Sequence, residues 1–157
     1  TASGTSLATA GSSDNSSESV TLPFSFTFYG TAYSSLYVCS NGYISPTSTC
    51  TSSNTSFSSN SQAMMAPFWD DLNPSAGGQI LTRTLGTSPN RQFVAAWSAV
   101  PHFTAGGAAT FEVVLEVVTS VHTPPTWWNR RVPSGNVPSM QISTDPSRVP
   151  VKAMSKA

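Results

Sequence analysis

The stretch Val20-Thr21-Leu22-Pro23-Phe24-Ser25-Phe26-Thr27-Phe28-Tyr29 has an apolar residue at every second position. Consecutive side chains of a β-strand point to opposite faces, so this period of two predicts a strand with one buried face. Pro23 lacks the N–H group that a sheet ladder needs. We therefore expect an edge or a bend in this strand at Pro23.

A short hairpin follows this strand. The segments from Ser35 to Cys39 and from Tyr43 to Ser45 read as strands, and Ser40-Asn41-Gly42 joins them. Asn-Gly is a frequent pair in tight hairpin turns because it tolerates positive φ. The sequence predicts that Asn41 and Gly42 supply that positive φ.

Further short apolar segments continue to about residue 118. Met64 to Trp69 reads as a buried segment, and Gln79 to Leu85 alternates again. Two more strand faces are predicted, one formed by Phe93, Ala95, Trp97 and Ala99 and the other by Phe111, Val113, Leu115 and Val117. No amphipathic helix is evident. Seven or more short strands favour an all-β antiparallel sandwich or jelly roll with extended terminal segments.

The chain divides into three segments by composition. Residues 1–19 form a Ser/Thr-rich arm, residues 20–119 the sandwich core, and residues 120–157 a segment with six of the 12 prolines. This last segment alternates only briefly, at Val137 to Ile142 and Val149 to Ala153. We expect it either to close its own sandwich or to be donated to a neighbouring subunit.

The composition points to a secreted protein. Only 9% of the residues are charged, seven basic and seven acidic, whereas a typical soluble domain has about 25%. The chain has 28 Ser and 19 Thr, a bias found in secreted β proteins and in glycosylated surfaces. The charge balance argues against a nucleic-acid partner, and no apolar run reaches the roughly 18 residues of a membrane span. Because the sequence begins at Thr1, we expect a processed or excerpted segment.

The charges are unevenly distributed. No Lys or Arg precedes Arg83, whereas the end of the chain is basic through Arg130, Arg131, Arg148, Lys152 and Lys156. This asymmetry is typical either of a solvated tail or of head-to-tail attraction between subunits.

Cys39 and Cys50 are separated by ten residues rich in Ser, Thr, Gly and Pro. A disulfide that closed such a loop would stabilise the fold by roughly 3 kcal/mol. The alternative is two reduced thiols in a cytosolic protein. No further Cys or nearby His could complete a zinc site.

Four motifs in order resemble the nidogen-like extracellular module over about Val20 to Val118. They are Leu22-Pro23-Phe24-Ser25-Phe26-Thr27-Phe28-Tyr29-Gly30, Leu36-Tyr37-Val38-Cys39-Ser40-Asn41-Gly42-Tyr43-Ile44-Ser45, Ala66-Pro67-Phe68-Trp69-Asp70-Asp71-Leu72 and Thr110-Phe111-Glu112-Val113-Val114-Leu115. The resemblance implies a β-sandwich of extracellular structural or adhesive proteins, without enzymatic activity of its own. Beyond Val118 the chain departs from that pattern, so the strands that close the sandwich are supplied differently, either by the chain's own last segment or by a neighbouring subunit.

The residues that could catalyse a reaction are few. Glu112 and Glu116 share one strand face about 13 Å apart, because each residue adds ~3.3 Å, whereas a glycosidase places its two carboxyl groups about 5–10 Å apart. His102 and His122 are the only bases for an activated nucleophile, and neither lies in a recognisable motif. We expect no enzymatic activity.

Four polar residues are candidate sites for a metal ion or for glycans. Asp70 and Asp71 could bind calcium only if a turn lets both face one ion; otherwise they cap that turn. Asn15 and Asn54 each begin an Asn-x-Ser/Thr acceptor sequence for N-linked sugar. We expect no resident cofactor, with calcium as the open alternative.

The tryptophans divide into two groups. Trp127 and Trp128 could form a sugar-stacking platform, or pack on the sandwich and seal a subunit contact. Trp69 and Trp97 occupy apolar alternations, which favour the core.

The sequence therefore predicts a non-enzymatic, secreted structural protein. The leading hypothesis is a subunit of a fibre, sheath or matrix that assembles from copies of itself, with terminal strand exchange as the route. The alternative is a carbohydrate-binding or spacer module of a larger secreted hydrolase or adhesin.

Overall fold

A computed structural model describes residues 3–52 and 62–117, and the backbone of residues 140–144 and 149–150. The strands in this part of the chain are β1 (Thr5–Ser6), β2 (Ser17–Phe28), β3 (Thr31–Cys39), β4 (Tyr43–Ser45), β5 (Gln79–Leu85), β6 (Gln92–Pro101), β7 (Ala108–Glu116), β8 (Met140–Thr144) and β9 (Val149–Pro150). A six-stranded sheet has the order β1-β5-β6-β7-β8-β9, and a three-stranded sheet the order β2-β3-β4. All pairings within both sheets are antiparallel, which confirms the predicted all-β sandwich.

Strand β2 contains the predicted alternation and the predicted bend. Its register against β3 shifts between Thr21 and Phe26, so the stretch around Pro23 bulges out of the ladder. Leu22 and Phe24, on either side of the proline, still point into the core. The bulge lets the strand bend while its apolar face stays buried.

The hairpin of β3 and β4 closes through a three-residue loop, with Cys39 directly opposite Tyr43. Gly42 adopts φ 83°, whereas Asn41 does not adopt positive φ. The prediction that both residues supply positive φ was therefore wrong for Asn41. A Cβ atom at position 42 would lie 1.8 Å from the Phe68 carbonyl oxygen, so both the space and the dihedral angle require glycine.

The core lies between the two sheets. Trp97 is fully buried, stacks on Phe111 with ring centroids 4.8 Å apart, and donates a hydrogen bond from Nε1 to the Cys39 carbonyl. This bond spans the two sheets and satisfies the only polar atom of the indole. Trp69 is half-buried beside Tyr43, in a smaller cluster next to the disulfide.

Two predictions about core residues were wrong. Ala99 is exposed with φ 50°, because the β6 register against β7 shifts between Trp97 and Val100. The bulge moves Ala99 off the face of Phe93 and Trp97 and puts Val100 into the core. Phe68 is 39% exposed, although it lies in the segment predicted to be buried.

Strands from both terminal segments belong to the six-stranded sheet. Strand β1 of the N-terminal arm pairs with β5, and Leu7 and Ala10 of the same arm are buried in the core. At the other side, β8 pairs with β7 and β9 pairs with β8. The position beside β7 is thus occupied by a strand of the same chain.

Candidate functional site

A disulfide links Cys39, at the end of β3, to Cys50 in the following loop, with their Cα atoms 5.4 Å apart. The Tyr43 hydroxyl fixes the same loop, because it accepts a hydrogen bond from the Thr51 N–H (2.8 Å) and donates one to the Thr49 carbonyl (3.1 Å). Burial raises the pKa of Tyr43, opposed by the bond from the Thr51 backbone. The loop is therefore held by the disulfide and by the two hydrogen bonds of the protonated Tyr43 hydroxyl.

Asp70 lies at the end of the Phe68-Trp69 segment and is paired. Its Oδ2 atom is 2.9 Å from Nδ1 of His102, and its Oδ1 atom accepts the N–H of Asp71 at 2.8 Å. The Phe103 N–H donates to the Asp71 carbonyl. These contacts attach the Asp70-Asp71 segment to the chain that follows β6.

Asp71 and Asp14 form an acidic pair from distant parts of the sequence. In each of them Oδ1 is buried without a hydrogen-bond partner among the described residues. Burial raises the pKa of Asp71, and the charges of Asp14 and then Asp70 raise it further. Both causes disfavour the ionised form of the Asp71 carboxyl.

Asn41, in the hairpin turn, connects this acidic pair to the core. Its side chain is fully buried; Oδ1 accepts the Leu72 N–H at 3.0 Å and Nδ2 donates to Asn15 Oδ1 at 2.7 Å. Asn15 Nδ2 in turn donates to Asp14 Oδ2 at 2.9 Å. The network joins the loop before β2, the β3–β4 turn and the segment at Leu72. The sequence pattern had assigned Asn41 only to the turn.

The acidic residues do not assemble into a larger metal-binding group. Within residues 3–52 and 62–117, no cluster of three or more His, Cys, Asp or Glu side chains is placed to hold a metal ion. Asp70 is bonded to His102, whereas Asp71 is close to Asp14. Calcium binding by Asp70 and Asp71 stays the open alternative to the prediction of no cofactor.

Glu112 and Glu116 lie on β7 and have different partners. Glu112 Oε2 is 3.9 Å from the Arg83 guanidinium, and Glu116 Oε2 accepts a hydrogen bond from Gln92 at 2.9 Å. Gln92 and Glu116 are directly opposed on β6 and β7, whereas Arg83 of β5 reaches Glu112 of β7 across β6. Both carboxylates therefore connect strands of the six-stranded sheet.

Of the remaining predicted site residues, only Asn15 lies in the part of the chain that the structure describes. Asn15 is exposed at φ 49°, and its amide takes part in the Asn41 network. Asn54, Trp127, Trp128 and His122 lie outside the described residues. Glycosylation and the roles of the tryptophan pair remain predictions.

The two edges of the six-stranded sheet are formed by very short strands. Strand β1 pairs only with Leu81 and Thr82 of β5, and β9 only with Ser143 and Thr144 of β8. On the outer side of β5, Arg83 to Leu85 have no strand partner among the described residues. Such edges expose backbone N–H and C=O groups that can pair with another strand.

A groove of about 270 Å³ opens beside the uncovered stretch of β5. The groove is lined by two apolar residues, Val20 and Phe93, and by the guanidinium-bearing Arg83. Four threonines complete the lining: Thr5, Thr21, Thr82 and Thr84. The groove lies between β2 of one sheet and β5 of the other.

The described residues form a disulfide-linked β-sandwich in which polar clusters connect distant segments and two-residue strands form the edges of the larger sheet. Comparison with protein families identifies the class: residues 1–121 match the NIDO related family. The chain belongs to this family, whose domain is a non-catalytic type of module. This membership and the disulfide fit an extracellular module. Comparisons with curated proteins and with solved structures found no match. Within the described residues, no helix is long and apolar enough to span a membrane.

Proposed function

We propose that this chain is a structural subunit of an extracellular fibre, sheath or matrix, and that copies associate through their terminal strands. The observation that carries the proposal is the order of the six-stranded sheet. It places the N-terminal strand β1 and the C-terminal strand β9 at opposite edges of one sheet.

This arrangement favours open-ended assembly. The two edges are different surfaces, so a contact between one edge and the opposite edge of a second copy is heterologous. A heterologous contact that does not close into a ring repeats without limit and produces a filament. The backbone groups at both edges supply the hydrogen bonds.

The charge distribution also supports association of the N-terminal part of one copy with the C-terminal part of the next. Asp14, Glu18, Asp70 and Asp71 are the only charged residues before Arg83, whereas Arg148, Lys152 and Lys156 are three of the last ten residues of the sequence. An acidic N-terminal part therefore meets a basic C-terminal part when copies join head to tail. Salt screens such attraction over about 8–10 Å, so association should weaken as ionic strength rises.

Deletion of residues 148–157 tests this function. The deletion removes β9 and most of the basic tail but leaves the sequence of the family match intact. Folded monomers from the deletion variant, next to fibres from the intact chain, would support the proposal. Fibres of unchanged length from the deletion variant would overturn it.

A second candidate function is carbohydrate binding, favoured by two exposed aromatic rings near a polar pair. Phe103 is 55% exposed and Phe68 is 39% exposed, and the Phe68 ring packs edge-on against His102, which is bonded to Asp70. Aromatic faces beside a carboxylate are suited to sugar rings and their hydroxyls. Retention of the monomeric protein on insoluble polysaccharide, lost in Phe103→Ala, would support this function over assembly.

A further inference from the structure

We infer that copies join edge to edge, with β1 of one copy antiparallel to β9 of the next and Ser6 opposite Pro150 of that next copy. This inference rests on the proposed self-association and specifies its contact. It follows from the register of the six-stranded sheet.

One row of directly opposed residues crosses the whole sheet. Ser6 is opposite Leu81, Leu81 opposite Ala96, Ala96 opposite Glu112, Glu112 opposite Ser143, and Ser143 opposite Pro150. Both edge strands therefore contain a residue of the same row. A second copy shifted along this row brings its Pro150 beside Ser6 with no change of register.

Strand direction agrees with this contact. Every pairing in the sheet is antiparallel and the number of strands is even, so β1 and β9 run in opposite directions. A copy that keeps the same orientation presents its β9 antiparallel to β1. The alternation of directions then continues from one copy into the next.

Each edge strand covers only one end of the strand beside it. Strand β1 leaves Arg83 to Leu85 of β5 uncovered, and β9 leaves Met140 to Ile142 of β8 uncovered, among the described residues. Arg83 and Thr84 lie in the rows of Gln141 and Met140. The covered stretches thus lie at the same end of the sheet on both edges, and so do the uncovered ones.

The resulting assembly has a defined repeat. Six strands at ~4.8 Å give about 29 Å of sheet per subunit. Each strand rotates by roughly 20–25° relative to the last, so the stack is helical. Pro150 contributes a carbonyl but no N–H to the ladder, which limits the hydrogen bonds at each contact.

Mixing two variants that each carry one added cysteine, with the Cys39–Cys50 disulfide intact, tests the contact. Ser6→Cys and Pro150→Cys should be joined by a short thiol crosslinker, since directly opposed Cβ atoms are about 4.5–5.5 Å apart. Within one copy the two positions are five strand spacings apart, about 24 Å, so a short linker cannot join them. Ser35→Cys, on an exposed position of β3, replaces Pro150→Cys in the matched control.

The outcomes separate the contact from the function. Oligomers with a Ser6–Pro150 adduct at least tenfold above the Ser35 control support the contact. Oligomers with equal or no crosslinking overturn the contact and leave self-association standing. Absence of oligomers in the unmodified protein overturns both. A second measurement needs no variant: aligned fibres should diffract at ~4.8 Å along the fibre axis, and a reflection perpendicular to that axis would contradict the contact.

Discussion

Asn41 Nδ2 donates a 2.7 Å hydrogen bond to Oδ1 of Asn15, and this bond ties the β3–β4 turn to the loop before β2. The same buried amide accepts the N–H of Leu72. One side chain therefore holds together three segments that are far apart in the sequence.

Replacement of Asn41 by Ala should destabilise the protein by about 1–3 kcal/mol, because the Leu72 N–H would remain buried without its acceptor. Urea unfolding followed by tryptophan fluorescence measures the change. Asn15→Gly is the control, because glycine adopts φ 49° without strain, and we expect a smaller loss since Asn15 is exposed. An Asn41→Ala variant as stable as the wild type would refute the role of this network.

The raised pKa of Asp71 predicts a pH-dependent effect on stability. The Asp71 carboxyl holds its proton more tightly in the folded state than in the unfolded state, in which its pKa is near 3.8. The stability contribution of Asp71 is therefore highest below pH 3.8, falls as the pH rises through the folded-state pKa, and stays lower above it.

Asp71→Asn removes the ionisable group without changing its size. We expect the variant to unfold at a higher temperature than the wild type at pH 7, with the difference vanishing at pH 3. Thermal unfolding at several pH values and low salt tests this. A variant less stable than the wild type at pH 7 would show that the carboxylate is stabilising there.

Calcium should leave the unfolding temperature of the protein unchanged, because Asp70 is paired with His102 and the described residues hold no group of three or more His, Cys, Asp or Glu side chains around an ion position. The measurement compares thermal unfolding with excess calcium and with a chelator. A calcium-dependent increase that Asp71→Asn abolishes would instead establish a binding site, since a ligand stabilises the state that binds it.

Loss of the disulfide should cost roughly 3 kcal/mol, the loop-closure value for a loop of this length. The double variant Cys39→Ser, Cys50→Ser removes both thiols and so avoids a reactive single cysteine. Urea unfolding against the oxidised wild type gives the difference. Equal midpoints would mean that the hydrogen bonds of Tyr43 hold the loop without the covalent link.

Local sequence patterns predicted the strands that carry long alternations. The apolar period from Val20 to Phe28 and the Asn41-Gly42 turn predicted β2 and the hairpin, because both depend on neighbouring residues. The exposed position of Ala99 could not be predicted, since one inserted residue in a ladder leaves no trace in the apolar pattern. Strand β1 was missed because Thr5 and Ser6 are polar and pair over only two residues.

The site was less predictable than the fold. Asp14, Asn15, Asn41 and Asp71 converge only after the strands between them have paired, and no spacing along the chain indicates their contact. The signal available in the sequence was Asn41, a polar residue between two apolar strands, because a buried amide needs hydrogen-bond partners. The edge positions of β1 and β9 likewise depend on the order of strands in the sheet.

Electron microscopy of the purified, intact chain tests whether copies assemble through their terminal strands. Such assembly predicts unbranched fibres that lengthen with protein concentration and shorten in high salt. Uniformly dispersed single particles of monomer size at low salt and high protein concentration would contradict it.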